Sequence, residues 1–454
     1  MPNIFHLIVN KNHFNFLILC LVVFLNCNTN NDNGGIDLPV NSLPLLDISS
    51  NGIEIPGNPK INAQLSISIE NDIHFNGNIA VETRGSSSSK FPKQSFSFET
   101  RDNNNPDEDL DVSLLGLPEE EDWILYGPYS DKTLIRNKLA YDLFRDMGNY
   151  SSRSVFVELE INKEYQGVYL LLEELKRDDN RIDISKLNPD ENSGEDLTGG
   201  YILTIDRVDD DPEEYFTSNY LPPSATEGQQ IHFLYEEPDA EDITIQQKSY
   251  IQNYVHEFEN ALNSPDFTDP VSGYISYIDV SSFIDFFLIN ELANNVDAYR
   301  LSTYITKDKN GKLKMGPVWD FNFSLGNANY CSSGETNVWA YTFNERCGNH
   351  DQQVPFWWAK LLQDPSFVNQ LQKRWTKLRE DEFSEDVLTE MIDEYTELLT
   401  SSGAVDRNFD TWKILGTQQT ANNFVGETHQ EEISYLKDWI SDRLSWLDTA
   451  INSL

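Results

Sequence analysis

The chain has 454 residues, 75 acidic against 33 basic side chains, and a formal charge of −42. That charge argues against a non-specific nucleic-acid binder, which needs a basic footprint to displace counterions, and against docking of the folded part on an anionic membrane. With 39% hydrophobic and 12% aromatic residues the chain still has the apolar mass for a sizeable core, and its length allows one large domain or two or three smaller ones.

The chain opens with Lys11 before the apolar run 14–25, and no acid precedes Asp32. This reads as an export signal over residues 1–27, too short for a comfortable membrane span. Cys27 ends the apolar run and is followed by Asn, Thr, Asp and Gly, the pattern of a bacterial lipoprotein signal with a flexible tether over 28–43. Cys27 is then either acylated as an anchor or lost with the signal. The fold is expected over 44–454, β-rich to about 206 and helical from about 245. Segments 78–84 and 94–100 alternate with period two and read as strands around the small-residue loop Gly85–Lys93. Residues 101–122 read as an acidic surface loop. Asp131 to Met147 reads as a helix capped by Asp131 and ended by Gly148. Strands follow at 155–161, 168–172 and 199–206; residues 207–245 show little pattern. A helix over 281–290 leads to Asp297, and a hairpin pairs 302–307 with 312–320 through the turn Asp308–Gly311. The last hundred residues read as helices, the final one opened by Thr428 and Glu431. Cys331 and Cys347 suit a disulfide in an exported chain.

Two constellations carry chemistry. Asp297 stands before the hairpin and Asp320 after it, so the antiparallel pairing should bring both carboxylates to one end. Two acids held together suit a metal-bridged phosphate or an acid–base pair. Protein kinases have a similar layout, with a metal-holding Asp followed by Phe, as Phe321 follows Asp320 here. In the second constellation, Lys93 reaches nucleotide phosphates and Glu173 positions it. Arg84 and Arg136 are further phosphate candidates. The alternative is that these are ordinary strand-end and loop charges. Asn290 to Asn295 either assist a metal or cap a helix end.

Taken together, the ordered motifs resemble the CotH-like kinases over roughly residues 44–415. They are Arg84-Gly-Ser-Ser with Phe91-Pro-Lys93, Asp122-Trp-Ile-Leu, Asp131-Lys-Thr-Leu-Ile-Arg-Asn137, Asn162-Lys-Glu-Tyr-Gln-Gly-Val-Tyr169 and Leu172-Glu-Glu-Leu-Lys-Arg177. Gly199-Gly-Tyr-Ile, Asn294-Asn-Val-Asp297, Gly316-Pro-Val-Trp-Asp-Phe-Asn322 and Leu325-Gly-Asn327 complete the set. The resemblance implies an α+β, atypical protein-kinase-like fold: a β-rich N-terminal part with a mixed or antiparallel sheet, then a helix-rich C-terminal part. It implies ATP with a divalent metal, Mg²⁺ or Mn²⁺, as cofactors and phosphorylation of serine in a protein substrate, which the export signal would place outside the cytoplasm. It assigns Asp297 as the catalytic aspartate, Asp320 with Asn322 as metal ligands, and Lys93 as the phosphate lysine, with Glu173 a looser match. The family usually carries Asp where Asn322 stands, and Asn where Ser302 stands. Two other readings compete: a non-catalytic surface protein on a kinase-like scaffold, and a secreted glycoside hydrolase using paired carboxylates.

Overall fold

The structure is a computed structural model that describes residues 42–454 except 71, 87, 209, 210 and 227. The export signal and Cys27 lie outside the described residues, as does nearly all of the tether. Leu43, expected at the tether's end, is instead buried in the core at 3% exposure.

Strands β1 (Leu45–Ser49), β2 (Ile61–Ile69), β3 (Asp72–Arg84), β4 (Ser95–Arg101), β5 (Asp122–Tyr126), β6 (Ser154–Ile161) and β7 (Glu164–Glu173) close into a barrel. Their order is β1-β2-β3-β4-β5-β7-β6. Every neighbouring pair is antiparallel except β1 with β6, whose parallel pairing closes the ring. The apolar run Val168–Leu172 shows why such a barrel forms. Alternate side chains of a strand face opposite ways. Tyr169 and Leu171 point into the barrel core, while Val168, Leu170 and Leu172 join a second, larger core outside it. Both faces of β7 are therefore dry, and each fully buried large apolar side chain contributes roughly 1.5–3 kcal/mol.

A second sheet holds β8 (Tyr201–Ile205), β9 (Tyr215–Thr217), β10 (His232–Glu237), β11 (Thr303–Lys307) and β12 (Leu313–Met315), all antiparallel in the order β12-β11-β8-β10-β9. The helices are α1 (Arg136–Asp146), α2 (Ile245–Asn263), α3 (Val280–Ala293), α4 (Phe343–Arg346), α5 (Trp357–Leu361), α6 (Pro365–Glu380), α7 (Glu385–Ser401), α8 (Ala404–Thr411) and α9 (His429–Asn452). Among the described residues, no helix is long and apolar enough to cross a membrane. The expected α+β content holds, and the N-terminal strands, read as a mixed or antiparallel sheet, close into a barrel.

Several local expectations change. The helix expected from Asp131 begins at Arg136. The Asp131 carboxylate takes the N–H groups of Thr133 and Arg136, and Leu134 sits at φ 68, so residues 131–135 turn before the helix starts. Gly148 follows the helix at φ +94, the left-handed conformation that ends it. The supposed surface loop 101–122 buries Leu114, Leu115 and Leu117 against the barrel core and ends in β5. The unpatterned stretch 207–245 contributes β9 and β10. Helix α3 is capped by Asp279 and stopped by Asn294 at φ 40. At α9, Thr428 accepts from the Glu431 N–H as expected, but the Glu431 side chain accepts from Glu427. Trp357 and Trp358 are core residues.

Candidate active site

A cleft of about 440 Å³ opens between the barrel and the second sheet. Its position follows from three strand ends. β8 pairs with β11 so that Ile205 faces Thr303, which places Asp206 beside Ser302. β11 pairs with β12, and Asp297 precedes and Asp320 follows that hairpin. Asp206, Asp297 and Asp320 all line the cleft, with Asn322 and Ser302.

Helix α1 sets Asp320. The Asp320 N–H donates to the Tyr141 hydroxyl at 3.1 Å and the Phe321 N–H to Asn137 Oδ1 at 2.9 Å. Phe321 is buried at 1% exposure, so the segment is pinned beneath while Asp320, at φ 61, turns its side chain to the cleft. A non-glycine residue in that region carries backbone strain of order 1–3 kcal/mol. Among the described residues the Asp320 carboxylate has no hydrogen bond or ion pair. Burial pushes its pKa up to about 7, the charges of Asp297 and Asp206 push the same way, and Arg84 and Arg207 oppose. Asp297 is held differently: Arg300 donates to its Oδ1 at 2.7 Å. Arg300 is 1% exposed, donates to Val296 O and lies over the Phe343 ring at 4.1 Å.

Ile124, Leu172, Leu234 and Tyr304 give the cleft an apolar wall, and Gly85, Ser86 and Ser88 of the small-residue loop border it. Its arginines are Arg84, Arg207 and Arg300; no lysine lines it. Arg84 lies over the Trp319 ring at 5.7 Å and 3.9 Å from Glu174. Its Nη1 is buried without a hydrogen-bond partner, and so is Asn322 Oδ1.

The other sequence candidates are placed elsewhere. Lys93 is 2% exposed, and its ammonium donates to Val168 O at 2.6 Å and Asn408 Oδ1 at 2.8 Å. It fastens the barrel to α8 and does not border the cleft. Burial drives its pKa well below the usual lysine range. Glu173, fully buried, accepts from Arg153 Nε at 2.9 Å and from the Tyr150 hydroxyl at 3.3 Å, and does not touch Lys93. Arg136 pairs with Asp131 at 2.6 Å at 1% exposure and does not line the cleft. Asn294 donates through its amide nitrogen to the carbonyls of Ser332, Ser333 and Glu335 and does not line the cleft; its Oδ1 is buried without a donor. Cys331 and Cys347 form the disulfide, between Tyr330 and His350 of the cleft wall. Asp206, Arg207 and Arg300 were missed; the one available signal was that Asp206 ends a strand that opens with paired glycines.

Lys93→Met is therefore expected to leave ATP affinity unchanged in calorimetry. A loss of about tenfold, roughly 1.4 kcal/mol, would return Lys93 to the phosphates.

The cleft between the barrel and the second sheet thus gathers three aspartates and three arginines. A model of the CotH kinase protein family matches residues 81–447, and the chain belongs to that family. Among solved structures, the Helicobacter pylori proinflammatory kinase CtkA is similar at 10% identity and a TM-score of 0.28, over 79% of this chain and 94% of that one. No curated protein matches the chain.

Proposed function

We propose that the protein is an ATP- and divalent-cation-dependent kinase that phosphorylates serine hydroxyls of a protein substrate. One observation carries the reading: the cleft holds a buried arginine nitrogen, Arg84 Nη1, with no hydrogen-bond acceptor and only a long 3.9 Å ion pair to Glu174, and a buried amide oxygen without a donor, Asn322 Oδ1. A nucleotide polyphosphate with its cation satisfies both at once. The flat apolar wall suits a base, and Arg84 and Arg207 neutralise phosphate charge. The Asp297 oxygen not held by Arg300 takes the proton of the acceptor hydroxyl. Asp320 and Asn322 would hold Mg²⁺ or Mn²⁺; their hard oxygen donors fit such an ion, which supplies charge neutralisation across the phosphates. Most of the catalysis is positioning and fixed charge.

Export belongs to the same proposal. The apolar run ahead of Cys27 supports it, and so does the Cys331–Cys347 bond, since disulfides persist in oxidising compartments. Cys27 is then the lipid anchor. One observation favours the non-catalytic scaffold: among the described residues no lysine lines the cleft.

Transfer of labelled phosphate from ATP with Mg²⁺ or Mn²⁺, wild type against Asp320→Ala, tests the reading. Incorporation is expected in the wild type and loss in the variant. Nucleotide binding without any transfer would favour the scaffold.

A further inference from the structure

We infer that Asp206 is a second carboxylate ligand for the divalent cation of this cleft, held in place by Ser302. This rests on the proposed cation site and adds a residue from a third strand to it. Ser302 donates to Asp206 Oδ2 through both its backbone N–H, at 2.9 Å, and its hydroxyl, at 3.2 Å. The Arg207 N–H donates to Oδ1 at 2.7 Å. These donors fix the carboxylate's orientation and use only part of its capacity, since an ionised carboxylate offers about four lone-pair sites. Among the described residues no arginine or lysine side chain forms a salt bridge to Asp206 or Asp320.

A cluster elsewhere in the molecule shows what protein cations do to such a group. Glu120, Glu121 and Asp122 bring their oxygens within 4.8 Å of one another. Lys176 bridges all three at 2.6–2.9 Å, and Arg181 lies 3.3 Å from Glu120. Two cations thus meet three carboxylates there, so most of that cluster's charge is balanced from within. In the cleft Arg300 is paired with Asp297, and Arg84 and Arg207 act on Asp320 only through their field, with no salt bridge to it or to Asp206 among the described residues. Asn322 supplies the independent sign of a ligand. It lines the cleft, is only 6% exposed, and its Oδ1 has no donor. A buried amide oxygen lining the same cleft as two carboxylates that form no salt bridge is a donor set suited to a hard divalent ion, which takes one or two carboxylates and completes its shell with phosphate and water. The hydroxyl of Ser302 works through Asp206, as a positioning group.

The experiment is Mn²⁺ binding to the full chain, followed by the electron-spin-resonance signal of the free ion, with and without a non-hydrolysable ATP analogue. Asp206→Asn keeps an acceptor for Ser302 and removes the charge; Mn²⁺ affinity is expected to fall at least about tenfold. Asp351→Asn, in the small neighbouring cavity that Asp206 also borders, is expected to bind as the wild type does. Ser302→Ala loosens the same contact without touching the charge and separates a ligand from a strand-end strut. A large loss in Asp206→Asn alone supports the inference; an equal loss in both variants, or none in Asp206→Asn, overturns it. Wild-type Mn²⁺ binding that depends on Asp206, with no phosphate transfer, would remove the kinase reading and leave the ligand assignment. A wild type that binds no Mn²⁺ in either condition removes both.

Discussion

Asp297→Asn is expected to lower phosphate transfer by about 10²–10⁴-fold while ATP still binds. Asn keeps the oxygen that accepts from Arg300 at 2.7 Å, so the loop holds its shape. Arg300 itself is fixed by Val296 O and the Phe343 ring. What Asn cannot do is take a proton. Single-turnover transfer of labelled phosphate reads the chemical step, and calorimetry with ATP reads binding. Transfer at the wild-type rate would remove Asp297 as the base. Loss of binding together with transfer would make it a nucleotide-positioning group instead.

The hairpin logic that paired Asp297 with Asp320 was readable because it is local: two strands and a tight turn fix where the ends go. Asp206 enters through β8, which pairs with β11 across about a hundred residues of chain, and no period or turn signal announces a partner that distant. Strands buried on both faces were readable as runs, as at Val168–Leu172. Strand β5 was hidden because its apolar residues follow a stretch of acids that looks like solvated loop. Lys93 misled for a related reason. A lysine at a strand start signals charge, but the strand carries it to the α8 side of the barrel, where Asn408, more than three hundred residues away, accepts from it. Asp131 misled more gently. It does satisfy helix N–H groups, yet it does so across a turn, and the helix starts five residues later than its position implies.

Arg443→Met is expected to destabilise the protein by about 3–5 kcal/mol, because it strands a buried charge rather than opening a cavity. Arg443 in α9 and Glu291 in α3 are both fully buried. The guanidinium donates to Glu291 O from Nε at 2.9 Å, to Thr336 O at 2.8 Å and to Val338 O at 2.6 Å, and approaches Glu291 Oε2 at 3.4 Å. Glu291 in turn accepts from the N–H groups of Ala340 and Tyr341 and from the Tyr299 hydroxyl. The last helix is thus locked to the helix and loop that carry Asp297, two residues before Tyr299. Burial pushes the Arg443 pKa down to about 10 and raises that of Glu291, so each charge depends on the other. Methionine replaces the stem and its packing but none of the donors. Adding Glu291→Gln removes the stranded charge and keeps an acceptor for Ala340 and Tyr341. Part of the loss should return, while the carbonyls of Thr336 and Val338 stay unpaired at about 1–3 kcal/mol each. Chemical denaturation of the wild type, the single variant and the double variant reads the three terms. A double variant no more stable than Arg443→Met alone would mean that the lost carbonyl bonds, and not the orphaned carboxylate, carry the cost.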